Sequence, residues 1–173
     1  MKAPHLVERF TRAIWPGRPR PSDERWVESI LEPGELLLFR RLPNHDQRHA
    51  IRVARYAEEH LGDDGEPRWL AAALLHDVGK YDARLSVPGR AVATIVVAAD
   101  GRRHLDRWSR GRGPVRRFAV YARHGEIGAD EIRRAGGREV AAAWSAAHHH
   151  PEQWLAIGIP PHVVQVLDAA DNA

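Results

Sequence analysis

The 173-residue chain has no cysteine. Disulfides and thiolate metal sites are thereby excluded, and a reducing compartment fits best, so a cytoplasmic location is expected. Lysine is scarce as well: Lys2 and Lys80 are the only two, and all other basic side chains are arginine. No apolar run approaches the roughly 20 residues that span a bilayer. The longest, "AVATIVVAA" at 91–99, falls far short, and the charged start "MKAPHLVERF" has no apolar core of signal-peptide length. Neither a transmembrane segment nor a secretion signal is expected. Alternation of apolar and polar residues is also missing, which argues against sheet strands. The length suits one domain with a substantial core. A net charge of +3 and a pI near 9.8, carried by arginine, favour phosphate-bearing or carboxylate-bearing partners. Oligomeric state is left open.

What is present is helical periodicity. Ser22 is placed to cap "DERWVESILE", and Pro33-Gly34 should end that helix. "DQRHAIRVARYAEEHLG" sets Ala50, Val53, Ala54 and Ala57 on one stripe and stops at Gly62. "PRWLAAALLHDVG" starts with Pro67 in its first turn and stops at Gly79. Further helices are predicted over 88–99, 114–135, 138–149 and 161–172, with Gly136-Gly137 and Pro160-Pro161 as breaks. An all-α, single-domain bundle follows, with residues 1–44 as a helical extension packed on a core domain at 45–173.

The histidines and aspartates fall at or near the ends of these helices. His49 lies early in one, His76 and Asp77 close the next, His124 follows "RRFAVYAR", and His148, His149 and His150 end "EVAAAWSAA". Asp168 and Asp171 lie in the last helix. A lone histidine on an apolar face is most simply a hydrogen-bonded core residue, and His45-Asp46 reads as a helix start with Asp46 as cap. Five such features in series are harder to obtain from packing. Facing helices of a bundle are where such side chains converge on a metal. Imidazole and carboxylate together suit manganese, iron, nickel or zinc better than magnesium.

The ordered set of His49, then "HDVGK" at 76–80, His124 with Gly128, the histidine pair and a final aspartate resembles the HD-domain metal-dependent phosphohydrolases, over about residues 45–172. The third histidine and the pair resemble the two-metal branch. That branch includes cyclic-dinucleotide phosphodiesterases, but the "HHHPEQW" segment lacks the Asp-Gly-x-Gly-Tyr-Pro loop that marks the cyclic-di-GMP members, so that substrate is not implied. What the resemblance implies is one metal on His49, His76 and Asp171, a second on His124, His148 and His149, and Asp77 bridging the two. Asp168 stands as an alternative to Asp171, and His150 as an alternative within the pair. Asp77 and Lys80 are the implied catalytic residues, with hydrolysis of a nucleotide-like phosphomonoester or phosphodiester by a hydroxide shared between two divalent transition-metal ions. Alternatives are a diiron oxygenase on the same fold and a non-catalytic regulatory or nucleic-acid-binding module.

Lys80 offers a compact ammonium for the substrate phosphate. "GRRHLDRWSRGRGPVRR" at 101–117 carries seven arginines around Trp108. It is either a solvated connection or a lip in which Arg102, Arg103, Arg110 and Arg112 grip phosphates remote from the chemistry. Its composition also admits nucleic acid.

Overall fold

The computed structural model describes residues 17–99 and 103–173. Among these the chain forms eleven α-helices, two short 3-10 turns and no strand, so the all-α expectation holds. The helices are α1 (Pro21–Ile30), α2 (Pro33–Arg41), α3 (Asn44–Leu61), α4 (Pro67–Leu75), α5 (Lys80–Ala83) and α6 (Val87–Ala99). They continue as α7 (Leu105–Ser109), α8 (Pro114–Ala122), α9 (His124–Arg134), α10 (Glu139–Ala147) and α11 (Pro161–Asn172).

The central post is α4. After Arg68 its sequence is uncharged, and every residue from Trp69 to Leu75 is buried. It packs against α1, α2, α3 and α10, while α11 lies on α3 and α9 on α10. The α3 stripe of Ala50, Val53, Ala54, Ala57 and Leu61 is buried as its periodicity predicts. Burying a leucine such as Leu74 contributes about 1.5–3 kcal/mol, and truncating it to alanine would cost about 2–5 kcal/mol once the cavity is counted. Of the proposed extension, residues 1–16 lie outside the described residues, and 17–44 join the bundle through several ion pairs, one of them buried. The buried Glu35 of α2 accepts hydrogen bonds from the Arg138 backbone at 2.8 Å and from its Nε at 3.0 Å, just before α10.

Four local expectations are corrected. Pro33-Gly34 does not merely end a helix: α1 stops at Ile30, and Pro33 takes the first position of α2, where a missing N–H costs nothing. Glu35 Oε2 accepts the Glu32 N–H at 3.0 Å, closing that turn. Ser22 is inside α1, whose cap position is Arg20, and no side chain caps it. Asp46 is not a cap either, because α3 begins at Asn44 and the buried Asp46 carboxylate instead receives both terminal nitrogens of Arg90 at 2.6 Å. Finally, the single helix foreseen over 114–135 is two, broken at Arg123, so that α8 can leave the bundle while α9 lies along α10.

The helices α6, α7 and α8 form an outer layer. They pack on one another and, through α8, on α5. None of their residues belongs to the main hydrophobic core. The Arg90–Asp46 pair ties α6 to the start of α3.

Candidate metal centre

Four chain segments converge on one carboxylate. Asp77 is 2 % exposed and lies in the turn between α4 and α5. Its Oδ2 is 3.3 Å from His76 Nε2 and 3.9 Å from His49 Nε2. Its Oδ1 is 3.3 Å from His124 Nε2 and 3.7 Å from His148 Nε2. Two clusters therefore flank it: His49, His76 and Asp171 on one side, and His124, His148 and His149 on the other, each with ligand atoms within 4.8 Å of one another. In the first, Asp171 Oδ1 lies 3.0 Å from His49 Nε2 and 3.4 Å from His76 Nε2.

The helix ends orient the imidazoles. His76, His124 and His148 each come within a residue or two after their helices α4, α8 and α10 finish, where the last-turn carbonyls lack helical partners. Each donates Nδ1–H to the carbonyl three residues earlier: Ala73 at 2.8 Å, Tyr121 at 2.7 Å and Ser145 at 2.7 Å. That aims each Nε2 toward the centre, as in metal sites whose ligands are held from outside.

The donor set fits a cation. His76 Nε2 and Asp77 Oδ1 are buried without a hydrogen-bond partner, which is costly unless something else satisfies them. His124 Nε2 and His148 Nε2 face each other at 3.3 Å. With both Nδ1 atoms bound to carbonyls, both Nε2 atoms are left to the centre, where a cation could satisfy them. Burial and the neighbouring charge of His76 hold His148 well below the usual imidazole range.

Electrostatics separate the two sides. Burial alone would lower the His76 pKa, but Asp77 and Asp171 overcome it and push His76 up to about 10. Asp77 is held well below the usual carboxylate range despite its burial, by His76 and Lys80. Asp171 is lowered too, despite its burial, by His49 and His76 beside it. On the other side His149 is pushed down to about 4 by the covered part of its ring and by His124. Lys80 Nζ sits 2.5 Å from Asp77 Oδ2, and that carboxylate raises its pKa against burial.

Three glycines let these segments touch. A Cβ on Gly79 would lie 2.1 Å from the His124 carbonyl oxygen and 2.6 Å from Gly128 N; on Gly128 it would meet Ser145 Oγ at 2.6 Å, and on Gly125 the Ser145 carbonyl oxygen at 2.5 Å. Ser145, the lone hydroxyl in "EVAAAWSAA", is buried with Oγ 3.0 Å from the His76 carbonyl and 3.2 Å from that of Gly125. Sequence reasoning passed over Ser145 and Gly125. A polar residue inside an alanine-rich helix was the available signal. A cleft of about 30 Å³, on the scale of one or two waters, opens beside Arg123, His124, His148 and His149.

The alternatives fall elsewhere. His150 turns outward, with Nδ1 3.1 Å from Glu152, and Asp168 accepts from Asn172 Nδ2 at 3.1 Å. Neither belongs to a cluster. Arg103, Arg110 and Arg112 are exposed on the outer layer. Arg102 lies outside the described residues.

The family model for the HD domain matches residues 47–173, and the chain belongs to that superfamily of metal-dependent phosphohydrolases. HD domains bind divalent metals, and the two clusters are groups able to do so. No curated protein and no solved structure matches the chain.

Proposed function

We propose that the chain is a two-metal phosphohydrolase acting on a nucleotide-like phosphoester. One observation supports this above all: the two oxygens of Asp77 face separate clusters, each able to hold an ion. His49, His76 and Asp171 would hold one ion, and His124, His148 and His149 the other. Held there, divalent transition-metal ions supply positive charge against phosphoryl oxygens and make water acidic enough to attack at neutral pH.

The chain's own groups do the rest. Asp77 fixes the spacing of the two clusters. Lys80 is only 16 % exposed at its side chain and holds its proton, so it presents a localised charge where a phosphoryl group gains negative character. The carbonyls of Ala73, Tyr121 and Ser145 hold three rings in place. A water-sized cleft opens at the second cluster, where His124 and His148 are buried and His149 is exposed.

The experiment is elemental analysis of the purified chain joined to a manganese-supplemented phosphoester assay, with His76→Ala and Asp77→Ala beside it. Two ions and hydrolysis, both lost in the variants while helical content stays, support the proposal. Oxygen consumption with bound iron would favour the oxygenase instead. Neither metal nor turnover would leave a non-catalytic module.

A further inference from the structure

The outer layer presents two features that the metal centre does not use. The first is an apolar stripe. α6 reads "VPGRAVATIVVAA", yet only Ala93 is buried, and Val92 and Ile95 are 50 % and 69 % exposed. They stand three residues apart, with Ala99 four further on and also exposed, so they share a helix face. Val115, at the start of the packed neighbour α8, is 40 % exposed. Three of the six large exposed apolar side chains in the described structure thus lie on this one layer.

The second is charge. Residues 101–123 hold eight arginines and one acidic residue, a net +7 against −4 for the remainder of a chain whose total is +3. That one acid, Asp106, is already paired with Arg123. Arg103, Arg107, Arg110, Arg112, Arg116 and Arg117 are exposed and make no ion pair among the described residues.

We propose that the α6–α8 layer docks on an anionic lipid surface, with the α6 stripe entering the headgroup boundary and the arginines pairing with lipid phosphates and carboxylates. An apolar helix face flanked by basic side chains is the combination that holds a helix in a membrane interface, and arginine stems can lie along apolar surface while their heads stay solvated. Other occupants answer to only half of the layer. A nucleic acid or a phosphate-rich substrate would account for the arginines and leave the stripe without a role. A second copy of the chain would cover the stripe but, in a two-fold pair, would set one +7 segment against another. The docking surface is independent of the metal centre, except that Arg90 anchors α6 one turn before His49.

The test is cosedimentation of the full chain with phosphatidylcholine vesicles, with and without phosphatidylserine, at low and moderate salt. Two variants accompany it: Val92→Glu with Ile95→Glu, and Arg107→Gln with Arg116→Gln and Arg117→Gln. All five side chains are exposed, and circular dichroism checks that helical content is kept. The parent should bind only the phosphatidylserine vesicles, and less so as salt rises. Each basic residue near such a surface strengthens binding about fivefold, so the triple variant should bind on the order of 100-fold more weakly. The glutamate pair should lose binding at least as fully while retaining any turnover of a soluble ester. Several results would overturn the proposal: no binding to anionic vesicles, equal binding to neutral ones, or unchanged binding by the glutamate pair. So would displacement from vesicles by a single-stranded oligonucleotide that the glutamate pair binds equally well. Self-association without vesicle binding, lost in the glutamate pair, would assign the stripe to a second copy.

Discussion

The two candidate metal clusters have the same number of residues and flank Asp77 alike, yet they differ in charge. His49, His76 and Asp171 include a carboxylate, and His76 between two carboxylates is pushed up to about 10. His124, His148 and His149 include none, and His149 is pushed down to about 4. Without metal, the first cluster carries a proton at neutral pH while the second carries bare nitrogens at His148 and His149. The lesson is that one carboxylate turns an imidazole cluster from a site that waits with open lone pairs into one from which an ion must displace a proton.

The most severe way to break the comparison is to remove what the clusters share. Asp77→Asn should cost both ions and lower turnover by more than about 100-fold, the upper range for mere outer partners of a ligand. Elemental analysis with a manganese-supported assay checks it, and a variant that keeps both ions would mean Asp77 does not serve the two sides. A milder cut separates them. His149→Ala should remove the ion of the all-histidine cluster and leave the other in place, and His49→Ala should do the reverse. Metal content of about half in each variant is expected, whereas complete loss in both would show that neither cluster fills alone.

A third test acts on the contact between the two sides. Gly79→Ala sets a Cβ against the backbone of His124 and Gly128, and such overpacking should cost about 1–3 kcal/mol of stability. Denaturant unfolding of the metal-free protein measures it, and an unchanged midpoint would deny the tight approach. The finest test counts protons. Above pH 7, binding to the carboxylate cluster should release about one proton, from His76, and that affinity should rise as pH climbs toward about 10. His148 and His149 should release none there. Titration calorimetry in buffers of different ionisation enthalpy gives the count. The sign for His149 is opposite in folding: its unfolded imidazole takes a proton near pH 6.5 that the folded ring resists, so metal-free stability should fall from about pH 6.5 toward pH 4.

The helical architecture was legible because apolar periodicity reports which face is buried, as the α3 stripe and the wholly buried α4 show. Proline and glycine were read less well. Pro33 serves equally as the end of one helix and the first residue of the next, and sequence shows only the interruption. The break at Arg123 was invisible because the apolar pattern runs through it. Residue chemistry drew attention to the histidines and aspartates that the structure brings around Asp77. Which of Asp168 and Asp171, or of His148 and His150, faces the other histidines depends on the direction in which a helix end points, and one-dimensional spacing does not hold that. The long-range pairs were beyond reach for a similar reason: Asp46 finds Arg90 across 44 residues, and Glu35 finds Arg138 across 103.

The three rings held by backbone carbonyls have a consequence for heredity. Ala73 and Tyr121 orient His76 and His124 through atoms that every amino acid possesses. Codon changes at 73 and 121 that preserve the helix ends would therefore leave ligand orientation intact, and drift at those positions would be silent for this purpose. The information that aims the imidazoles is stored in where each helix stops, so an insertion or deletion of a single residue within those last turns would erase it while leaving every histidine in place.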